Sequence, residues 1–250
     1  MNDHKLEYLL RLGDSTLVLG QRLSEWCGRG PALEEDIALT NVALDLIGQT
    51  RLWLGYAAEV KGAGGTADQL AFLRDAHQFR NLLLVEQRNG SYADTLARQF
   101  LFDSWHYFLL EGLQRSMDAR IAEIAAKSLK EVTYHVRRSG DLMVRLGDGT
   151  GESHRRMQDA IDDLWMYTGE LFEADEVEAA LALDGIVPDP TTLAAPWQQH
   201  VAEVLEAATL RLPSGTWSQS GGRHGRHTEH LGYLLAEMQV LQRAHPGAQW

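Results

Sequence analysis

Apolar residues recur every three or four positions through most of the chain, and no segment alternates apolar and polar residues over a strand's length. Helices are therefore predicted throughout. Asp14-Ser-Thr reads as the cap of a helix running to Trp26. Pro31 suits the first turn of a long second helix reaching about Lys61, which Gly62-Ala-Gly-Gly65 ends. Further helices are predicted over about 67–84, 92–115, 119–146 and 152–172, with Asn89-Gly90 and Gly147-Asp-Gly-Thr-Gly151 as breaks. After Asp175 a short acidic helix leads to Val187-Pro-Asp-Pro190. Helices near 191–210 and 228–244 then flank a Gly/Ser/His loop at 213–227. No proline falls between Pro31 and Pro188, so the long central helices are free to form. The predicted fold class is all-α. One domain is expected over 1–250, with a bundle core at about 31–147 and accessory and C-terminal helices over 152–250.

Four of these helices carry polar groups on stripes of helical spacing. Asp45 lies within Ala43-Leu-Asp-Leu-Ile47, and Asp75 and Gln78 lie in the 67–84 segment. Asp103 follows Phe100-Leu-Phe102, and His135 follows Val132 on the stripe Ile121, Ala125, Ser128, Val132, His135, Ser139. An ionisable group on an apolar stripe is costly unless paired. Either these are unrelated half-exposed side chains, or they form one polar cluster at the centre of a four-helix bundle. Ferritin-like proteins hold two metal ions at that place. They use a carboxylate from each of two helices and Glu-x-x-His from each of the other two.

Here that ligand set is incomplete. Gln78 stands where an imidazole is wanted, and Val132 has no donor. Asp45, Asp75 and Asp103 are each a methylene shorter than glutamate, a poor fit to bridging metal ions about 3.5–4 Å apart. Asp103-x-x-His106 and Glu131-x-x-x-His135 have usable spacing but bring the total to only three or four good ligands. The expectation is a metal-free cluster of hydrogen bonds and ion pairs, with His135 beside a carboxylate.

Composition narrows the partners. The net charge of −12 disfavours duplex nucleic acid and anionic membranes. No apolar run approaches the roughly 20 residues of a membrane span, and the charged N-terminus lacks a signal-peptide layout, so a cytoplasmic protein is expected. The one cysteine, Cys27, reads as a small buried hydrophobe beside Trp26. Gly221-Gly-Arg-His-Gly-Arg-His-Thr-Glu-His230 is the most unusual local sequence. Its arginines and helix-start amides could hold a phosphate such as those of coenzyme A, or it could be a structural loop or one that contacts another subunit. Trp250 could dock into a neighbour.

At the level of longer motifs, the chain resembles the structural subunits of the phenylacetyl-coenzyme A ring epoxidases, ferritin-like proteins of bacterial phenylacetate catabolism. The resemblance is carried by LSEWCG at 23–28, LDLIGQTR at 44–51, NLLLVEQ at 81–87, RQFLFDSWH at 98–106 and KEVTYHVRRS at 130–139. It continues through RLGDGTGESHRRMQ at 145–158 and HTEHLGYLLAEMQVLQRAHPGAQW at 227–250. It implies a partner, a catalytic subunit of similar fold that holds a di-iron centre, together with a small bridging subunit and a reductase. It also implies that this chain has no catalytic, cofactor-binding or metal-binding residue, and that Asp45, Asp75, Gln78, Asp103, Val132 and His135 occupy degenerate di-iron positions. Two rivals remain at this stage: an active di-iron oxygenase, and a binding module for coenzyme A thioesters such as phenylacetyl-coenzyme A.

Overall fold

A computed structural model describes residues 2–215 and 217–248. The expectation for Trp250 lies outside the described residues. Among them are eleven α-helices: α1 (Asn2–Ser24), α2 (Leu33–Lys61), α3 (Ala67–Phe72), α4 (Leu83–Glu86), α5 (Tyr92–Leu113), α6 (Ala119–Gly147), α7 (Gly151–Leu164), α8 (Glu176–Leu183), α9 (Ala194–Ala207), α10 (Glu229–Met238) and α11 (Val240–Ala244). No strand occurs among the described residues. The fold is all-α, of the ferritin-like class that the sequence implies. The described residues form two compact units, 2–88 with 221–248, and 89–215 with 217–220.

In the first unit α1 packs along α2, and the Thr16 and Thr50 hydroxyls meet between them at 2.9 Å. α2 starts without a side-chain cap on Ala32. Asp36 instead reaches back to accept from the Gly30 and Gly28 amides at 2.8 and 3.2 Å, contacts that hold its carboxyl below the usual range. Two expectations are corrected here. α1 begins at Asn2, so Asp14 is a fully buried mid-helix residue and not a cap. The helix expected over 67–84 does not form as one piece: α3 ends at Phe72, a 3-10 turn spans Ala76–Gln78, and α4 is a single turn.

The second correction has a tertiary cause in α1. The Asp14 carboxylate binds both terminal nitrogens of the Arg74 guanidinium and accepts the Arg80 amide at 2.8 Å. Ser15 accepts the Leu82 amide at 3.2 Å. Amides that a helix would give to carbonyls four residues back are thus taken by side chains of α1. The cysteine expectation is corrected as well, since Cys27 lies in the turn after α1 and is exposed.

In the second unit α5 and α6 run antiparallel across a short turn. Asp118 caps α6 by accepting from the Arg120 and Ile121 amides at 3.0 and 3.2 Å. α5 is buried nearly all round and packs Leu96, Phe100, Leu101 and Phe102 among others. α6 buries one stripe, Ile121 through Ser139 and on to Met143. Gly147-Asp-Gly-Thr-Gly151 separates α6 from α7, and Thr150 and Ser153 form a capping box there. Two tryptophans anchor the outer elements. Trp197 of α9 donates to the Leu101 carbonyl at 3.1 Å, and Trp105 of α5 to the Leu171 carbonyl at 3.0 Å.

Candidate functional site

The six positions singled out in the sequence fall in both units. In the first, Asp45 is half-buried on α2, and its stripe partners Asn41 and Gly48 are exposed. The buried face of α2 is Leu39, Val42, Leu46, Gln49 and Trp53, so Asp45 sits beside the apolar stripe and not on it. Asp75 and Gln78 belong to no long helix. They cap the 3-10 turn at Ala76–Gln78, where the Gln78 side chain accepts from the Asp75 amide at 2.9 Å. Both are exposed, and Asp75 pairs with Arg243 at 2.9 Å.

In the second unit the helical spacing does what the sequence suggests. Asp103, Val132, His135 and Ser139 are all buried between α5 and α6. Asp103 Oδ1 accepts from Gln99 Nε2 at 2.6 Å. The single Ser139 hydroxyl proton is shared between Asp103 Oδ2 at 3.0 Å and the His135 carbonyl at 2.9 Å. Burial raises the Asp103 carboxyl from 3.8 to about 6, against the opposing pull of His135, Ser139, Gln99 and Arg138. Burial drives His106, one turn further along α5, down to about 3, and the charge of His135 adds to the effect. His106 Nδ1, Gln99 Oε1 and Ser128 Oγ are buried without a hydrogen-bond partner among the described residues, each a desolvation cost to the fold.

This cluster does not fit a di-iron centre. Both Asp103 oxygens already accept hydrogen bonds, and Val132 supplies no donor where a bridging acid would be required. Among the described residues no group of three or more His, Cys, Asp or Glu side chains is disposed to hold a metal ion. The Ser139 hydroxyl is buried and donates to the Asp103 carboxylate and the His135 carbonyl, contacts that fix its rotamer. What the arrangement can do is hold α5 against α6 in one register.

Sequence reasoning misses Gln99, although its i, i+4 spacing to Asp103 is the signal for it. It also misses Glu86, which is fully buried at the end of the apolar run Leu82–Val85, and Arg74, the partner of Asp14. In the segment 221–230, Arg223 is buried and His227 is held between Glu86 and the Phe79 carbonyl. A phosphate could reach neither without uncovering Arg223 or breaking the contacts of His227.

Comparison with known proteins adds two findings. Residues 1–250 match the family described as phenylacetic acid catabolic protein. The chain is also 54% identical over 243 residues to a 1,2-phenylacetyl-CoA epoxidase subunit of Escherichia coli (strain K12), with 97% of this chain and 98% of that one covered.

Proposed function

Because the chain belongs to the phenylacetic acid catabolic protein family, we propose that it is the non-catalytic structural subunit of a phenylacetyl-coenzyme A 1,2-epoxidase in aerobic phenylacetate degradation. Its partners are a catalytic subunit of similar fold that holds the di-iron centre, a small bridging subunit and a reductase that draws on NADPH. The assembly acts in the cytoplasm and places an epoxide on the ring of the thioester. This chain buries part of the catalytic bundle, fixes helix positions around the irons and offers a docking surface. The near full-length identity to an epoxidase subunit supports membership of such a complex.

The observation that carries the non-catalytic role is the donor set between α5 and α6. An aliphatic Val132 stands where an acid is needed, and the Asp103 carboxylate is taken up by Gln99 and Ser139. Reconstitution from purified subunits tests the reading. Epoxidation should require this chain, and Asp103→Asn in this chain should leave activity within about twofold, since a neutral isostere preserves the packing. Activity without the chain, or loss of iron and turnover in the substituted complex, would refute the assignment.

A further inference from the structure

The segment 221–230 has no part in that reading, yet it is closely fitted within the first unit. Gly222 and Gly225 approach the Asn81 and His77 carbonyls so nearly that a Cβ on either would overlap them. Gly225 also has φ +74°. The strap so laid down ends at His227. Its Nδ1 lies 2.8 Å from Glu86 Oε2 and its Nε2 3.0 Å from the Phe79 carbonyl. A backbone carbonyl only accepts. Glu86 also takes the Asn81 amide at 2.9 Å and the Thr228 backbone N–H at 2.6 Å, two donors that suit a carboxylate, and a carboxylate offers the ring only acceptor oxygens. Both ring nitrogens of His227 must then carry protons, which makes the ring an imidazolium.

We propose that His227 is a proton-operated latch: the strap at 221–227 stays closed on Glu86 and Phe79 while the ring is doubly protonated, and opens locally when it loses a proton. A neutral ring would leave one buried acceptor facing a bare nitrogen lone pair, an unsatisfied contact inside the unit. The surrounding charges favour the closed form. Glu86 faces the ring from α4 and Asp14 from α1, the latter bound to Arg74. Arg22 of α1 ties the Glu86 carbonyl to the His230 carbonyl at 2.9 and 3.1 Å. Arg80 packs by Gly225, and Arg223, His224, Arg226, Glu229 and His230 belong to the strap and its helix start. Burial pushes His227 down, but the hydrogen bond and charge of Glu86, the Phe79 carbonyl and Asp14 outweigh it and hold the ring above its ordinary 6.5.

The sign follows from linkage. A raised folded-state value gives stabilisation that is complete below about 6.5 and lost as pH climbs through that folded value. Opening should grow by up to about tenfold per pH unit across this window and then level off. The far end of the arm is held by Gln239 and Arg243, which donate to the Ala71 and Arg74 carbonyls and to Asp75. Those amide and guanidinium donors keep their protons across this range, so the change is confined to the strap.

The full-length chain provides its own probe, because the Thr228 amide binds Glu86. Its hydrogen exchange, corrected for the intrinsic pH dependence of exchange, and the ring ¹⁵N shifts of His227 are followed from pH 5.5 to 9. The latch predicts a ring protonated on both nitrogens at pH 6, and a Thr228 opening constant that rises above about pH 6.5 while amides of α1 stay constant. His227→Gln should open the strap at all pH values and abolish the dependence; if that variant does not fold, the two wild-type measurements decide alone. A singly protonated ring at pH 6, a flat Thr228 opening constant, or a His227→Gln protein that keeps the wild-type pH dependence would each overturn the proposal.

Discussion

Asp103 and His106 lie about one helical turn apart, and burial shifts them in opposite directions, the carboxyl up and the imidazole down. The folded chain holds the Asp103 proton more tightly than an unfolded chain, for which the ordinary value is 3.8. This residue's contribution to stability therefore falls as pH rises from about 4 to about 6 and stays lost above. Asp103→Asn removes that penalty. In urea denaturation it should match or exceed the parent by about 1–2 kcal/mol at pH 7, with the advantage gone at pH 4. A variant markedly weaker at pH 7 would mean that the fold requires the charge. His106 works the other way. It is neutral in the fold down to about 3, whereas an unfolded histidine protonates near 6.5, so stability is lost as pH falls between those values. His106→Phe keeps the ring contact with Phe102, whose centroid lies 5.0 Å away, and should flatten the fall in Tm between pH 6 and 4. An unchanged slope would rule out His106 as a source of acid sensitivity. At this scale Asp103, His135 and Ser139 are legible in the sequence, because a period of three to four residues puts them on buried stripes. Asp45 misleads, because aliphatic neighbours on both sides do not say which face of α2 is covered.

Among the elements, α2, α5 and α6 follow their sequence signals closely, since Gly62, Asn89-Gly90 and the 147–151 run mark real chain breaks. The stretch 73–82 does not. Its composition permits a helix, but the Gln78 side chain takes the Asp75 amide and Asp14 and Ser15 of α1 take the Arg80 and Leu82 amides, the latter a long-range effect that no local window contains. The Arg74–Asp14 pair is the hinge of this arrangement, with Asp14 wholly buried and the Arg74 side chain 11% exposed. Arg74→Ala leaves that carboxylate uncompensated and should cost about 3–5 kcal/mol in chemical denaturation. Adding Asp14→Asn should recover part of the loss, since the stranded charge is then gone. A single variant within about 1 kcal/mol of the parent would show that water, and not Arg74, satisfies Asp14.

For the whole molecule, a two-metal centre makes demands of its ligands that this chain does not meet. If the polar stripes formed one cluster, four donor-bearing helices would meet at one centre. Of the segments expected to supply them, 67–84 places Asp75 and Gln78 on an exposed turn, and α6 presents Val132 in place of an acid. The ligand count is readable from residue types alone. The reason two candidates drop out is not, because it depends on a helix that never forms. The most direct test is to purify the complex from cells grown with ample iron, separate this chain from its related partner under conditions that retain metal, and quantify iron in each. The account predicts iron with the partner and none above background with this chain; about two irons per copy of this chain, the number a complete di-iron site would hold, would contradict it.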